Sequence, residues 1–395
     1  MEMDSSLRIF DELERTFPGP ADYSEGHFSY YNRSARPAVA AIRARLGEMF
    51  SRYPVEHQAE LRARFRSGDD RGFDSAFFEL LLHELLLRLR CTVEVHPPVT
   101  SGDGKVPDFL AAPEDGEPFY VEAIVASALS DNEAARQSIM NVVYDQINKI
   151  ESRNFFITIS TIEGIGQRQP SGKRIRRFLE TRLAALDPDR VAQDYTEGAA
   201  DLPEWLYEED KLKIEFGVVP KSTQARMKQG ARSLGKLATE VKWGSDASSL
   251  RDAISRKAGR YGDLGHPYVI AINSTSKWGV EHTDVMEALF GTESFYLDRE
   301  TLKEMRMVRN PDGALNTRRG ATYTRVSAVL IAFGAYPASI ANVVVKLYHN
   351  PWAKYLYSGP LCQLEQEVPV GDNMKRTPGI SLGDLFGLNR DWPGD

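Results

Sequence analysis

The alternation of apolar and polar positions divides the chain into helical and extended stretches. From 1 to 70 the pattern is helical. Residues 38–50 and 56–65 are helix-forming, and Pro18, Pro20 and Pro54 mark the breaks. A long helix is predicted over 73–90, opened by Gly72 and capped by Asp74 or Ser75. At about 100° per residue, Phe78, Leu82, Leu85 and Leu89 share an inward face. Glu84 and Arg88 then pair on the solvated side, and Glu79, His83 and Arg90 form a stripe at the border.

Three short extended runs follow, 92–96, 108–112 and 119–126, separated by SGDG at 101–104 and PEDGEP at 113–118. An amphipathic helix over 132–152 and an apolar strand over 155–162 complete an order of αβββαβ. Beyond lie a basic helix at 171–186, an acidic loop to Asp210 and a strand at 212–219. A polar insertion at about 220–245 precedes a helix at 249–261 and a strand at 267–273. The end of the chain predicts a helix at 284–289 and strands at 325–333 and 342–348. The expected organisation is a helical region 1–70, a core 71–165, a basic insertion with further sheet elements 166–275 and an α/β extension 276–395. The expected fold class is α/β, a mixed central sheet flanked by helices.

Composition narrows the setting. With 42% hydrophobic and 27% charged residues the chain is of ordinary globular make-up, so a sizeable core is expected. No run approaches the roughly 18 apolar residues of a membrane span, and the acidic start, MEMDSSLRIFDELE, does not read as a leader. Cys91 and Cys362 stand far apart without CxxC spacing, which argues against zinc and a disulfide framework and suits a cytoplasmic protein. A net charge of −7 does not suit a protein that binds nucleic acid over its whole surface. Arg168, Lys173, Arg174, Arg176 and Arg177 nevertheless cluster without an acid. A second basic stretch runs through Lys221, Arg226, Lys228, Arg232, Lys236 and Lys242. These read either as solvated faces or as a surface that tracks phosphates.

Three acids carry the chemistry. Glu79 lies in FFELLL on the long helix, Asp108 follows Pro107 in KVPDFL, and Glu122 lies in the apolar strand FYVEAIVA. Glu79 alone reads as a boundary salt bridge. A carboxylate inside an apolar strand needs a partner or a cation. Strands about 4.8 Å apart bring Asp108 and Glu122 within reach of one ion, and magnesium favours one or two carboxylates completed by water and phosphate.

The strings FFELLLHELLLRL, PDFL and FYVEA resemble the PD-(D/E)XK superfamily of restriction endonucleases and Holliday-junction resolvases, over roughly 73–162. The resemblance implies that Glu79, Asp108 and Glu122 hold Mg2+ or Mn2+, and that the chain hydrolyses phosphodiesters in DNA. It also implies a homodimer and a place in restriction or phage defence, with a partner protein conceivable in such a system. The motif lysine should stand two residues after Glu122, where this chain has Ile124. Lys149 on the following helix and Lys105 are the candidates to replace it, although Lys149 equally suits an i, i+4 pairing with Asp145. Lys257 in ISRKAGRYG reads as a helix-face residue, and His349 in YHNPWA as a structural histidine. RVSAVLIAFGA, KLYHNPWA and GISLGDLFGLNRDWPG resemble the ends of bacterial proteins that carry this core.

No GxxxxGK[ST], dinucleotide fingerprint, GxSxG or HExxH occurs. The leading expectation is a metal-dependent DNA endonuclease. Its alternatives are a nuclease fold without catalysis that serves as a binding module, and an unrelated enzyme in which the three acids are scattered.

Overall fold

A computed structural model describes residues 7–99, 104–126, 131–166, 168–197, 202–226, 232–235, 246–275, 280–297, 304–370 and 373–394. In chain order the helices are α1 (His27–Arg33), α2 (Pro37–Ser51), α3 (Val55–Phe65), α4 (Asp70–Arg88), α5 (Asp131–Asn148), α6 (Gly172–Ala184), α7 (Pro188–Thr196), α8 (Thr223–Arg226), α9 (Asp246–Ala258), α10 (His282–Phe290) and α11 (Leu382–Phe386). The strands begin with β1 (Cys91–Val95), β2 (Phe109–Pro113), β3 (Phe119–Ala126), β4 (Phe155–Glu163), β5 (Glu204–Glu209), β6 (Leu212–Pro220), β7 (Tyr268–Ser274) and β8 (Glu293–Leu297). They continue with β9 (Glu304–Arg309), β10 (Asn316–Thr317), β11 (Gly320–Ala321), β12 (Ala328–Phe333), β13 (Val345–His349), β14 (Glu365–Val370) and β15 (Asn373–Thr377).

The chain forms two compact units. The first comprises 1–19, 26–128 and 244–395, and the second 20–25 and 129–243. The first unit is built on an eight-stranded mixed sheet in the order β1-β2-β3-β7-β12-β13-β14-β15. β1, β2 and β3 are antiparallel, whereas β3, β7 and β12 run parallel. The parallel centre is completed by α9, which packs on β3 and β7. Thus the helix and strand that follow β3 in the sheet are α9 and β7, not the expected 132–152 and 155–162. β4 instead pairs with β6 in a three-stranded antiparallel sheet of the second unit. The expected 71–165 core is therefore interrupted after β3 by the whole second unit. The burial pattern gives the reason. β7 is buried at every position, as a central parallel strand must be, while β4 alternates like a strand covered on one face.

Helix α4 is covered on one side by α1–α3 and the amino-terminal segment and on the other by β1 and β3. Its start is set by Asp69, which accepts from the Arg71 amide, rather than by Asp74 or Ser75. Leu80, Leu81, Leu85 and Leu86 are almost wholly buried, each contributing about 1.5–3 kcal/mol. Because both sides are covered, Glu84 is buried rather than solvated. Arg52 donates to it twice, at 2.8 and 2.9 Å, and Arg88 at 2.7 Å. The opposite sheet face carries α9 and α10, packed on Tyr120, Ile124, Ile270, Ile272, Val329, Ile331 and Tyr348.

In the second unit α5 and α6 pack with β4, β5 and β6. The acidic stretch expected as loop contains α7, whose Asp187 caps a helix opening at Pro188, and then β5. Among the described residues no helix is long and apolar enough to cross a membrane. Cys91 and Cys362 are free thiols.

Candidate active site

The ladder between β2 and β3 pairs Phe109 with Val121 and Leu110 with Tyr120. The same register sets Asp108 against Glu122, one step further. The Ala123 amide donates to Asp108 Oδ2 at 2.6 Å, which fixes that carboxyl beside the β3 backbone. Glu122 is 1% exposed, on the α9-facing side of the sheet. A lone carboxylate there would be prohibitively costly. Lys257 of α9 forms an ion pair with its Oε1, and Arg260 approaches the same oxygen at 3.4 Å. The Tyr261 hydroxyl donates to Oε2 at 2.7 Å and lies 2.8 Å from the Val106 carbonyl, which ties the loop before β2 to the same cluster.

Electrostatics link the two acids. Burial, then the Glu122 charge, then the more remote Glu79 charge push the Asp108 carboxyl up to about 7, against the pull of the Ala123 amide and Lys257. Burial and Glu122 likewise hold the Tyr261 phenol in its neutral form far above neutral pH.

Glu79 belongs elsewhere. Its helix packs on the other face of the sheet, and it is 3% exposed. Tyr53 donates to its Oε1 at 2.6 Å and Arg64 to its Oε2 at 2.7 Å. This is the boundary salt bridge its position suggested, and the structure does not assemble the expected trio. Among the described residues no group of three or more His, Cys, Asp or Glu side chains is arranged to hold a metal ion.

The lysine candidates also redistribute. Ile124 is buried in the α9-facing cluster, so a charged side chain at that position would lie in the core. Lys105 is exposed on the loop before Asp108. Lys149 lies exposed in the second unit, just past α5. Its suggested partner Asp145 is buried and accepts from the Tyr23 and Ser24 amides at 2.6 and 2.8 Å. Lys257, read from sequence as a helix-face residue, is the lysine on the acid pair. A signal was present: Lys257, Arg260 and Tyr261 at i, i+3 and i+4, shortly before a continuous apolar strand. His349 is a structural histidine, 2.8 Å from Gln366 Oε1.

Among the basic residues, Arg168, Lys173, Arg174 and Arg177 are exposed and Arg176 is half-buried on α6. Arg168, Arg174 and Lys211 line a cleft of about 570 Å³, where Glu209 meets Arg174 at 3.5 Å. The described residues of the second basic stretch are committed to their own unit. Lys221 is buried and donates to the Ser152 carbonyl at 2.8 Å. Arg232 donates to the Ala21 carbonyl and lies over the Tyr23 ring at 4.8 Å, so its expected role on phosphate is taken by packing. Lys228, Lys236 and Lys242 lie outside the described residues.

Comparison with protein-family models, with curated proteins and with solved structures finds no match to this chain. What the fold and site establish is a mixed α/β protein with a large central sheet and a buried carboxylate–lysine cluster at the junction of β2, β3 and α9.

Proposed function

We propose that the chain is a metal-dependent endonuclease acting on DNA, with Asp108, Glu122 and Lys257 at its centre. The observation that carries this reading is Lys257 reaching Glu122 from α9 while Asp108 faces Glu122 across the β2–β3 ladder. Within the first unit the order α4-β1-β2-β3-α9-β7 supports the PD-(D/E)XK resemblance, with the lysine moved from the strand to the helix.

The donor chemistry suits a hard divalent cation. Asp108 is raised to about 7 chiefly by burial and Glu122, a repulsion that Mg2+ or Mn2+ would relieve. Asp108 and Glu122 would hold the ion through carboxylate oxygens, and Glu79 would act only through its field. Bound there, the ion would supply a water of lowered pKa and charge neutralisation at the phosphate. The chain's own groups do the rest. Lys257 orients the attacking water and faces the charge that develops on phosphate. Asp108, raised by burial and Glu122 while no cation is bound, gives up its proton as it takes the ion. Tyr261 and Arg260 fix Glu122 in place. The exposed Arg168, Lys173, Arg174 and Arg177 supply contacts to the nucleic-acid backbone that carry no sequence information. Cutting both strands calls for two such sites, so a homodimer accompanies this reading, as does a role in restriction or phage defence.

A second reading is a nuclease fold that binds without cutting. It is favoured by the engagement of both Glu122 oxygens and by the commitment of Glu79 to Tyr53 and Arg64. The test is a cleavage assay on plasmid and single-stranded DNA with Mg2+ or Mn2+, comparing wild type with Asp108→Asn, Glu122→Gln and Lys257→Met. The nuclease reading expects metal-dependent cutting lost in all three. A folded wild type that retains DNA but never cuts supports the second reading.

A further inference from the structure

A second pocket lies on the same unit, away from the acid pair. Glu122 is on β3 and this pocket is at β14, four strands along the sheet, roughly 19 Å at about 4.8 Å per strand. The cavity, about 250 Å³, is lined by His282, Met286, Glu287, Glu293, Glu367 and Met374, and by Arg309. α10 forms one wall and the ends of β14 and β15 another.

Glu367 is the anomalous group. It is 3% exposed, lines the cavity, and its side chain makes no hydrogen bond among the described residues. Its nearest cationic partner is the His282 ring, at 3.8 Å, beyond hydrogen-bond reach. The His282 Nδ1 is 3.0 Å from the Tyr348 hydroxyl. The Tyr348 phenol is buried and stays neutral, and this hydrogen bond holds the His282 ring with its Nε2 edge at the gap. Burial, only partly offset by Glu367, lowers the pKa of the half-exposed His282 imidazole, and Lys346 and Arg376 add to that effect.

The surrounding charges leave a deficit. Arg309 is paired with Glu293, and Lys346 and Arg376 both meet Glu365 at 2.7 Å. Among the described residues Glu287 and Glu367 remain, so four carboxylates there face three fixed cations. A buried carboxylate left in that state is costly unless a cation joins it. A divalent metal finds no ready ligand set, since no group of three metal-ligating side chains occurs among the described residues. We infer that this pocket binds a small organic monocation, a primary ammonium or guanidinium group, held by Glu367 and Glu287 over the His282 imidazole. The cavity admits a ligand of about ten heavy atoms at most.

Met286 and Met374 line the pocket and supply reporters. The full chain, labelled with 13C at the methionine methyls, is titrated with methylguanidinium and with methylammonium through the millimolar range. Magnesium chloride and tetramethylammonium, which lacks donors, serve as controls, and Met286→Leu and Met374→Leu assign the two signals. The expected result is a saturable shift of both methyls with at least one of the two donor-bearing cations. Glu367→Gln should weaken it about tenfold or more, and Glu287→Gln less. Glu367→Gln keeps size and shape, and its unperturbed methionine spectrum would establish that the pocket is intact. If that spectrum is disturbed, the Glu287→Gln titration takes its place, with weakened binding as the expected result. The proposal is overturned by no saturable shift, by a shift undiminished in the variant used, or by an equal response to magnesium or tetramethylammonium.

Discussion

Replacing Lys257 by methionine removes the ammonium from Glu122 and keeps most of the aliphatic volume. Glu122 remains 1% exposed, and losing one partner of a buried pair costs about 3–5 kcal/mol. Two features reduce that figure: the Lys257 side chain retains 23% exposure, and Arg260 and Tyr261 still contact Glu122. The expected loss is therefore about 1–3 kcal/mol, read as a lower urea midpoint at unchanged slope. The double variant Glu122→Gln/Lys257→Met removes both charges. It should be more stable than the sum of the single effects, by about 1 kcal/mol or more. Asp108 reports independently, because Lys257 lowers its carboxyl pKa, and that pKa should rise in Lys257→Met. A midpoint unchanged within about 0.5 kcal/mol together with additive energies would show that the ion pair has no energetic content, and the reasoning from Glu122 outward would fail.

Three further perturbations follow from the same electrostatics. Asp108 titrates near 7 in the folded chain, well above an unfolded aspartate. Its contribution to stability is therefore full at acid pH and lost as pH rises from about 4 through about 7, so Asp108→Asn should gain on wild type by about 4 kcal/mol between about pH 4 and 8 in parallel denaturations. His83 is 2% exposed, its Nδ1 has no hydrogen bond, and burial pushes it down to about 4. Stability should fall as pH drops from about 6.5 toward 4, and His83→Leu should flatten that limb of the pH–stability curve. Glu84→Ala strands Arg52 and Arg88, which keep 42% and 26% of their side-chain exposure, and should cost about 1–3 kcal/mol by thermal or urea unfolding, whereas equal stability would contradict the burial argument.

Local pattern was a good guide where one element met one environment. β3 appears over the expected 119–126 because its apolar run is bounded by turn residues on one side and matches a buried strand. α4 was legible in its leucines, but the fate of Glu84 was not: a helix covered on two sides looks, in sequence, much like one covered on one. The larger misreading came from proximity along the chain. The stretch after β3 offers a helix and a strand at the right spacing, yet the sheet takes α9 and β7 from beyond a whole inserted unit. The contrast between the alternating FFITISTIE and the continuous YVIAINS was visible in the sequence and distinguishes an antiparallel strand from a central parallel one. The same displacement hid Lys257, which lies 135 residues from Glu122. Asp108 and Glu122, carried by neighbouring strands, were within reach of sequence reasoning, whereas Glu79 was drawn off by Tyr53 and Arg64 from elements no short motif includes.

In the proposed function Asp108 and Glu122 act as one electrostatic unit that recruits a divalent cation. The most direct test is the 13C titration of the Asp108 carboxyl, with and without saturating Mg2+, with Asp108→Asn used to assign the signal. Without metal the account predicts a midpoint near the value of about 7 set by burial and Glu122. With Mg2+ it predicts a fall of one unit or more, about 1.4 kcal/mol per unit of differential binding, abolished by Glu122→Gln. An Asp108 midpoint near that of an ordinary aspartate, or one that Mg2+ leaves unmoved, would contradict a shared cation site at Asp108 and Glu122.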